Sequence, residues 1–175
     1  MKKILLVIDY QKDFVDGALG FPQAAVLEDA IADKITAYRK NGDEIVFTFD
    51  THTEDYLSTQ EGRNLPVIHC IKGTPGWELF GKIAGLCLET DTCFEKIAFG
   101  SMELANYLAE NHYDQVELVG VVSNICLLSD AVIAKAALPE AQIVVDAACV
   151  ASNVDRLNEA ALDVMESLQI KIINR

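Results

Sequence analysis

A carboxylate, a lysine and a thiol stand at the ends of three separate apolar runs of this chain, and together they could transfer an acyl group. Asp9 follows Ile4-Leu5-Leu6-Val7-Ile8, Lys96 follows Thr92-Cys93-Phe94-Glu95, and Cys126 closes the run from Val116 to Ile125. In such a set Asp9 could take the thiol proton, Lys96 could favour the thiolate through its charge, and Cys126 could attack a carbonyl carbon. Cys126 is the most informative of the three. The β-branched stretch Val116–Val122 reads as a buried parallel strand. Ser123 is a good N-cap, and Leu127, Leu128, Ala131, Val132 and Lys135 follow at helical spacing. That places Cys126 at about the third helical position, where unpaired N–H groups and the helix dipole favour a thiolate and could hold an oxyanion. Taken singly, each residue also has a plainer reading. Cys126 could be a small buried hydrophobe, Asp9 a turn residue and Lys96 a surface charge.

A second group falls between residues 50 and 70: Asp50-Thr51-His52, then Glu61, then His69. It holds two of the three histidines of the chain together with two carboxylates. Imidazole with carboxylate suits Zn²⁺, Fe²⁺ or Mn²⁺ far better than Mg²⁺ or Ca²⁺. The spacing is no zinc-finger signature, so a ligand set and a group of loop-capping polar residues both stay open at this point. The third histidine, His112 before Tyr113-Asp114, has no such company and reads as a surface residue.

Strand and helix patterns alternate along nearly the whole chain, and they must position these groups. Lys3–Ile8, Glu44–Phe49, Thr92–Phe94, 116–122, Gln142–Val145 and Lys171–Ile173 read as strands. Ala24–Arg39, Ser101–Asn111, 124–137 and Asn153–Leu168 read as helices, the first closed by Asn41-Gly42. Residues 51–76 form a long polar stretch with little periodicity, and a loop that long is usually functional. Repeated βα units imply a single three-layer α/β domain over residues 1–175, with a mostly parallel sheet covered by helices on both faces. In such sheets ligands lie beyond the carboxyl ends of the strands, where Asp9, Asp50, Lys96 and Cys126 all fall.

The net charge of −13, with no Lys/Arg cluster to offset it, excludes a nucleic-acid surface. Five cysteines at irregular spacing, in a chain large enough to need no staples, read as reduced thiols of a cytoplasmic protein. Residues 1–9 look like a first core strand rather than a signal peptide. No apolar run approaches the about 20 residues of a membrane helix.

At five places the residues match one family pattern: Val7-Ile8-Asp9-Tyr10-Gln11-Lys12-Asp13-Phe14; Asp50-Thr51-His52; the run from Leu65 to Trp77 containing His69; Glu95-Lys96; and Gly120-Val121-Val122-Ser123-Asn124-Ile125-Cys126. The chain resembles the isochorismatase-like cysteine hydrolases, and within them the nicotinamidases. The resemblance implies a triad of Asp9, Lys96 and Cys126. It also implies a cis peptide between Val121 and Val122 and an oxyanion hole built from the amides of Val122 and Cys126. For the metal it implies Asp50, His52 and His69, with Glu61 where a fourth ligand is expected. Zinc is the first expectation, with iron or manganese as alternatives. Phe14 matches a pocket aromatic of the family and Phe99 falls where another often lies. The implied reaction is hydrolysis of nicotinamide to nicotinate and ammonia through a thioester on Cys126. The implied partner is thus a small amide, with no nucleic acid and no membrane; a homo-oligomer is left open.

The family's usual Ala-Thr-Asp before the cysteine turn is Val122-Ser123-Asn124 here, which keeps the capping oxygens but removes a charge and narrows the pocket. A dehalogenase-like phosphatase would need a second Asp at position 11, where Gln11 stands. Neither a Walker-type phosphate loop nor a G-x-G-x-x-G fingerprint is present. A redox-sensing scaffold would have no use for Asp9 and Lys96 together with Cys126. The nearest rival is a member of the same family that cleaves another small amide or a carbamoyl group.

Overall fold

Alternate residues of the first strand face two different cores. Ile4, Leu6 and Ile8 pack into one apolar cluster, and Leu5 and Val7 into a second, as the two-residue period of a strand covered on both sides requires. The structure, a computed structural model, describes residues 1–175. It repeats this pattern across six strands: β1 (Lys3–Ile8), β2 (Glu44–Asp50), β3 (Thr92–Lys96), β4 (Gln115–Val121), β5 (Gln142–Ala151) and β6 (Lys171–Ile173). All neighbours run parallel, in the order β3-β2-β1-β4-β5-β6, so β3 and β6 are the edges.

On one face lie α1 (Lys12–Val15), α2 (Pro22–Ala25), α3 (Glu28–Asn41) and α5 (Gly81–Leu86), which bury Phe14, Ala24, Ile31, Ile35 and Ile83. The other face carries α6 (Met102–Asn111), α7 (Leu128–Ala137) and α8 (Asp155–Ser167), with Leu104, Leu108, Ala131, Ala134, Leu162 and Met165. This is the three-layer α/β arrangement that the sequence pattern implies. No helix is long and apolar enough to cross a membrane.

The elements differ from the sequence reading where local signals are short. The helix expected over Ala24–Arg39 is split into α2 and α3, the second starting at Glu28 with an acidic first turn and ending at Gly42 in the left-handed region (φ 74°). The polar stretch 51–76 contains 3₁₀ turns at Tyr56–Ser58 and Pro75–Trp77 and a short α4 (Gln60–Asn64), whose N-cap Thr59 accepts from the Gly62 N–H. None of these is long enough to show a helical period. Strand β5 continues six residues past the expected Val145, with a register irregularity against β4 between Leu118 and Gly120. Its small residues Ala147 and Ala148 hide that extension from a search for apolar alternation.

Strand order reverses between β1 and β4, the switch point at which α/β sheets open a crevice. Asp9 leaves β1 and Cys126 follows β4, so the two emerge side by side. Close contact here depends on Gly120. Its φ is +117°, and a Cβ on it would collide with the Ile8 carbonyl oxygen of the adjoining strand. Gly120→Ala should therefore destabilise the protein by about 3 kcal/mol or more through combined backbone strain and overpacking. Urea unfolding reads this directly, and an unchanged midpoint would mean that β1 and β4 can separate at no cost.

Candidate active site

Three charged side chains meet in a space closed to solvent. Lys96, the last residue of β3, places Nζ 2.7 Å from Asp9 Oδ2 and 3.0 Å from Asp130 Oδ2, and all three side chains are 0% exposed. Lys96 also donates to the Phe99 carbonyl oxygen (2.9 Å). Asp9 is held from β2, where Thr48 Oγ1 donates to its Oδ1 (2.6 Å) and accepts from its backbone N–H (3.2 Å). Its backbone lies in the left-handed region (φ 44°), which Asp tolerates better than most residues. Asp130 Oδ1 accepts from the Ser101 N–H (3.0 Å), so one carboxylate anchors both Lys96 and the loop that leads into α6.

Cys126 borders this cluster and is itself buried. The structure corrects two expectations about it. Ser123 is not the N-cap: that position belongs to Val122 and has no side-chain cap bond, while Ser123 Oγ donates to Asn158 Oδ1 of α8 (2.7 Å). Residues Ser123–Leu127 form a π-helical turn before α7, with the Ile125 and Leu127 N–H groups both donating to the Val122 carbonyl. Nor is the thiolate favoured at rest. Burial pushes the Cys126 thiol well above its ordinary value; Lys96 pulls it down, but Asp9 and Asp50 push the same way as burial. Desolvation outweighs the helix end because the sulfur has no water to share its charge.

The same balance gives Asp9 its character. Burial raises its carboxyl above the ordinary range, against the pull of the Lys96 ammonium, so it is a better proton acceptor than a surface aspartate. For Lys96, burial disfavours the charge, but the Asp9 and Asp130 carboxylates outweigh it and the pKa is raised. Lys96 stays an ammonium.

A second cluster lies beside the first. Asp50 Oδ2 is 3.1 Å from His52 Nε2 and 3.3 Å from His69 Nε2, and the ligand atoms of the three buried residues lie within 4.8 Å of one another. Glu61 of α4 brings Oε1 to 3.7 and 3.9 Å from the same two nitrogens. His69 Nδ1 lies 2.7 Å from the Val67 carbonyl, which sets that nitrogen as the donor and leaves Nε2 free as a ligand. His52 Nε2 is buried with no hydrogen-bond partner. Burial would raise the Asp50 carboxyl, but the two imidazoles beside it hold it below its ordinary value. An ionised carboxylate, two imidazole nitrogens aimed at it and a nearby second carboxylate fit a divalent transition metal.

Between the clusters opens a small cavity of ≈ 50 Å³. Phe14, Phe99, Val122, Ile125 and Cys126 line it together with Asp50, Glu61 and His69. Phe14 stands edge-on to His69 (centroids 5.6 Å apart), and Phe99 is 47% exposed at the rim. The peptide between Val121 and Val122 is cis. All residues singled out from the sequence are therefore gathered here, His112 excepted, which is exposed.

Three residues that complete the site were not singled out. Asp130 lies four positions after Cys126, on the same helical face, and that spacing was the available signal. Thr48 sits within an apolar strand run, where a hydroxyl facing a carboxylate is visible only once β1 and β2 are paired. Gln11 clamps the end of β2: its Nε2 donates to the Asp50 and Trp77 carbonyls (3.0 and 2.8 Å) and its Oε1 accepts from the Asp50 N–H (2.8 Å).

The chain belongs to the isochorismatase family, whose domain model matches residues 3–175. A Bacillus subtilis protein named "Uncharacterized isochorismatase family protein PncA" is 37% identical over 144 residues, covering 75% of this chain and 78% of that protein. The crystal structure of nicotinamidase/pyrazinamidase PncA from Bacillus subtilis matches with a TM-score of 0.88 at 34% identity, covering 98% of this chain and 99% of that one. The pyrazinamidase of Pyrococcus horikoshii in complex with zinc matches with a TM-score of 0.85 at 28% identity over 100% of both chains.

Asp130 supplies a test of the charge cluster. Burial pushes its carboxyl up to about 6 despite Lys96, from 3.8. A folded-state value above the unfolded one means that ionisation opposes folding, so this contribution to stability falls as pH rises from about 4 to 6. Asp130→Asn removes the titration. The stability of the variant relative to wild type should accordingly rise by on the order of 2–3 kcal/mol between pH 4 and pH 7. Urea unfolding of both proteins at the two pH values checks this, and a constant difference would show that Asp130 titrates like a surface carboxylate.

Proposed function

We propose that this protein is a nicotinamidase, hydrolysing nicotinamide to nicotinate and ammonia through a thioester on Cys126. The observation that carries this reading is the convergence of two independent sets on one cavity. A thiol with a carboxylate and an ammonium serves amide cleavage, and a histidine–carboxylate set a few ångströms away can hold a metal. The names borne by the Bacillus and Pyrococcus structures support it.

In this mechanism the substrate enters the cavity with its ring between Phe14 and Phe99. Asp9 takes the proton of the Cys126 thiol as the sulfur attacks the amide carbon, and Lys96 compensates the charge on the carboxylate–thiolate pair. The Val122 N–H, which makes no hydrogen bond within the chain, and the Cys126 N–H receive the developing oxyanion. Asp9 then returns its proton to the departing nitrogen, ammonia leaves, and Asp9 activates the water that cleaves the thioester. Asp50, His52 and His69 would hold a zinc ion, with Glu61 able to contribute as a fourth ligand and iron or manganese as alternatives. Bound there, it would supply a Lewis-acid site for the pyridine nitrogen and so would fix the ring.

Cys126→Ala should abolish ammonia release by a factor of about 10⁴ or more with the fold unchanged, because the covalent step is lost. Residual turnover above about one per cent of wild type would remove Cys126 from the nucleophile's role. Because its thiol is pushed up by burial, alkylation of Cys126 should quicken steadily from pH 7 to pH 9, roughly tenfold per unit. A rate that levels off near neutrality would instead reveal a preformed thiolate.

The metal reading has its own test. His52→Ala should strip zinc from the protein, read by elemental analysis, and cost nicotinamide hydrolysis about 10²-fold or more through lost positioning. Benzamide, which lacks the ring nitrogen, should be a far poorer substrate. Equal turnover of the two amides would favour a family member acting on another small amide or carbamoyl compound.

A further inference from the structure

Three of the five cysteines, Cys70, Cys126 and Cys149, are buried; Cys87 and Cys93 are not, and these two meet. Cys87 is the C-cap of α5 and Cys93 the second residue of β3, and their sulfurs lie 3.8 Å apart. The backbone brings these short side chains together, since the turn between them is clamped at several points. The Asp91 carboxylate accepts from the Leu88 N–H (2.9 Å) and from both terminal nitrogens of Arg39 (2.8 Å each). The Asp91 N–H donates to the Leu88 carbonyl (2.9 Å), and Arg39 also donates to the Leu86 carbonyl (2.9 Å). Neither thiol takes part in the amide chemistry described above.

We propose that Cys87 and Cys93 are a dithiol modification site, which a small disulfide or a peroxide converts reversibly to an intramolecular disulfide independently of Cys126. With the sulfurs already in contact at 3.8 Å, closing the bond requires an approach of only about 1.8 Å. With a small disulfide RSSR, the Cys93 thiolate attacks one sulfur, forms Cys93–S–S–R and expels RS⁻. The Cys87 thiolate then attacks the Cys93 sulfur, closes the internal disulfide and expels the second RS⁻. Two thiols are oxidised, one RSSR is reduced to two RSH, and the two thiol protons go to the leaving thiolates. With a peroxide, Cys93 becomes a sulfenic acid and Cys87 displaces its oxygen as water.

Cys93 is the entry point because it is the more exposed of the two. Burial pushes the Cys87 thiol up to about 12, with Arg39 pulling it back, so Cys87 is the slower partner until its target is held beside it. Fixed by the turn, it needs no encounter to react. The product ties the end of α5 to the edge strand that terminates in Lys96.

The test uses full-length Cys126→Ala protein, with oxidised glutathione as the probe, followed by alkylation of free thiols. The tryptic peptide Ile83–Lys96 contains Cys87 and Cys93 and no other cysteine. It should appear lighter by two hydrogens and resist alkylation until reduced, while Cys70 and Cys149 stay unmodified. In Cys87→Ser the same treatment should leave glutathione on Cys93. In the otherwise wild-type protein, oxidation should raise the melting temperature by about 4 °C or more, with reduction restoring the starting value. A peptide carrying two separate adducts, or one still fully reduced when exposed Cys93 is readily alkylated, would overturn the proposal. So would an internal disulfide that lowers the melting temperature.

Discussion

An ammonium group with no access to water organises this molecule. A lone buried charge costs several kcal/mol, and Lys96 is tolerated because two carboxylates and a backbone carbonyl surround it. Each partner imposes a requirement on the fold. Asp9 must leave β1 where Thr48 of β2 can hold it, β3 must pair with β2 in the register that sets Lys96 beside Asp50, and α7 must begin where Asp130 can reach both Lys96 and Ser101. The chemistry is thus built from groups that also have to satisfy one another if the chain is to fold at all.

The same confinement sets the proton inventory. A helix start is expected to favour a thiolate, yet Cys126 is held as a thiol because desolvation is the larger effect. Its proton has a destination in Asp9, whose carboxyl is raised by burial as well. Asp50 links this pair to the histidine cluster: its charge pushes both Asp9 and Cys126 upward while it pairs with His52 and His69. The two clusters are electrostatically one site, although they come from different elements of the fold.

Much of this was legible in the sequence because it rests on strong local signals. Apolar runs rich in β-branched residues and followed by polar ones mark β1, β2 and β4 and put Asp9, Asp50 and Cys126 at the sheet edge. Five family motifs in order add Lys96, His52, His69 and Phe14, and Phe99 falls where the family often has an aromatic. What escaped depends on pairing across the fold. Thr48 means nothing until β1 lies beside β2, and Gln11 shows no role until its amide is seen bridging Asp50 and Trp77. Ser123 misled for the converse reason: it has the right type and position for a cap, but α8 offers Asn158 as a competing partner and the turn opens into a π-helix.

The edge position of β3 has a further physical meaning. Edge strands are ordinarily the first parts of a sheet to fray, since they have a neighbour on one side only. Here fraying of the last residue would draw a cation away from two carboxylates sealed from solvent, and would break the bond from the Thr51 N–H to the Lys96 carbonyl (2.8 Å). The edge is therefore held by charge at both ends, by Lys96 at its carboxyl end and by the Arg39–Asp91 pair just before its amino end. An edge strand pinned in this way opens as a unit rather than fraying residue by residue.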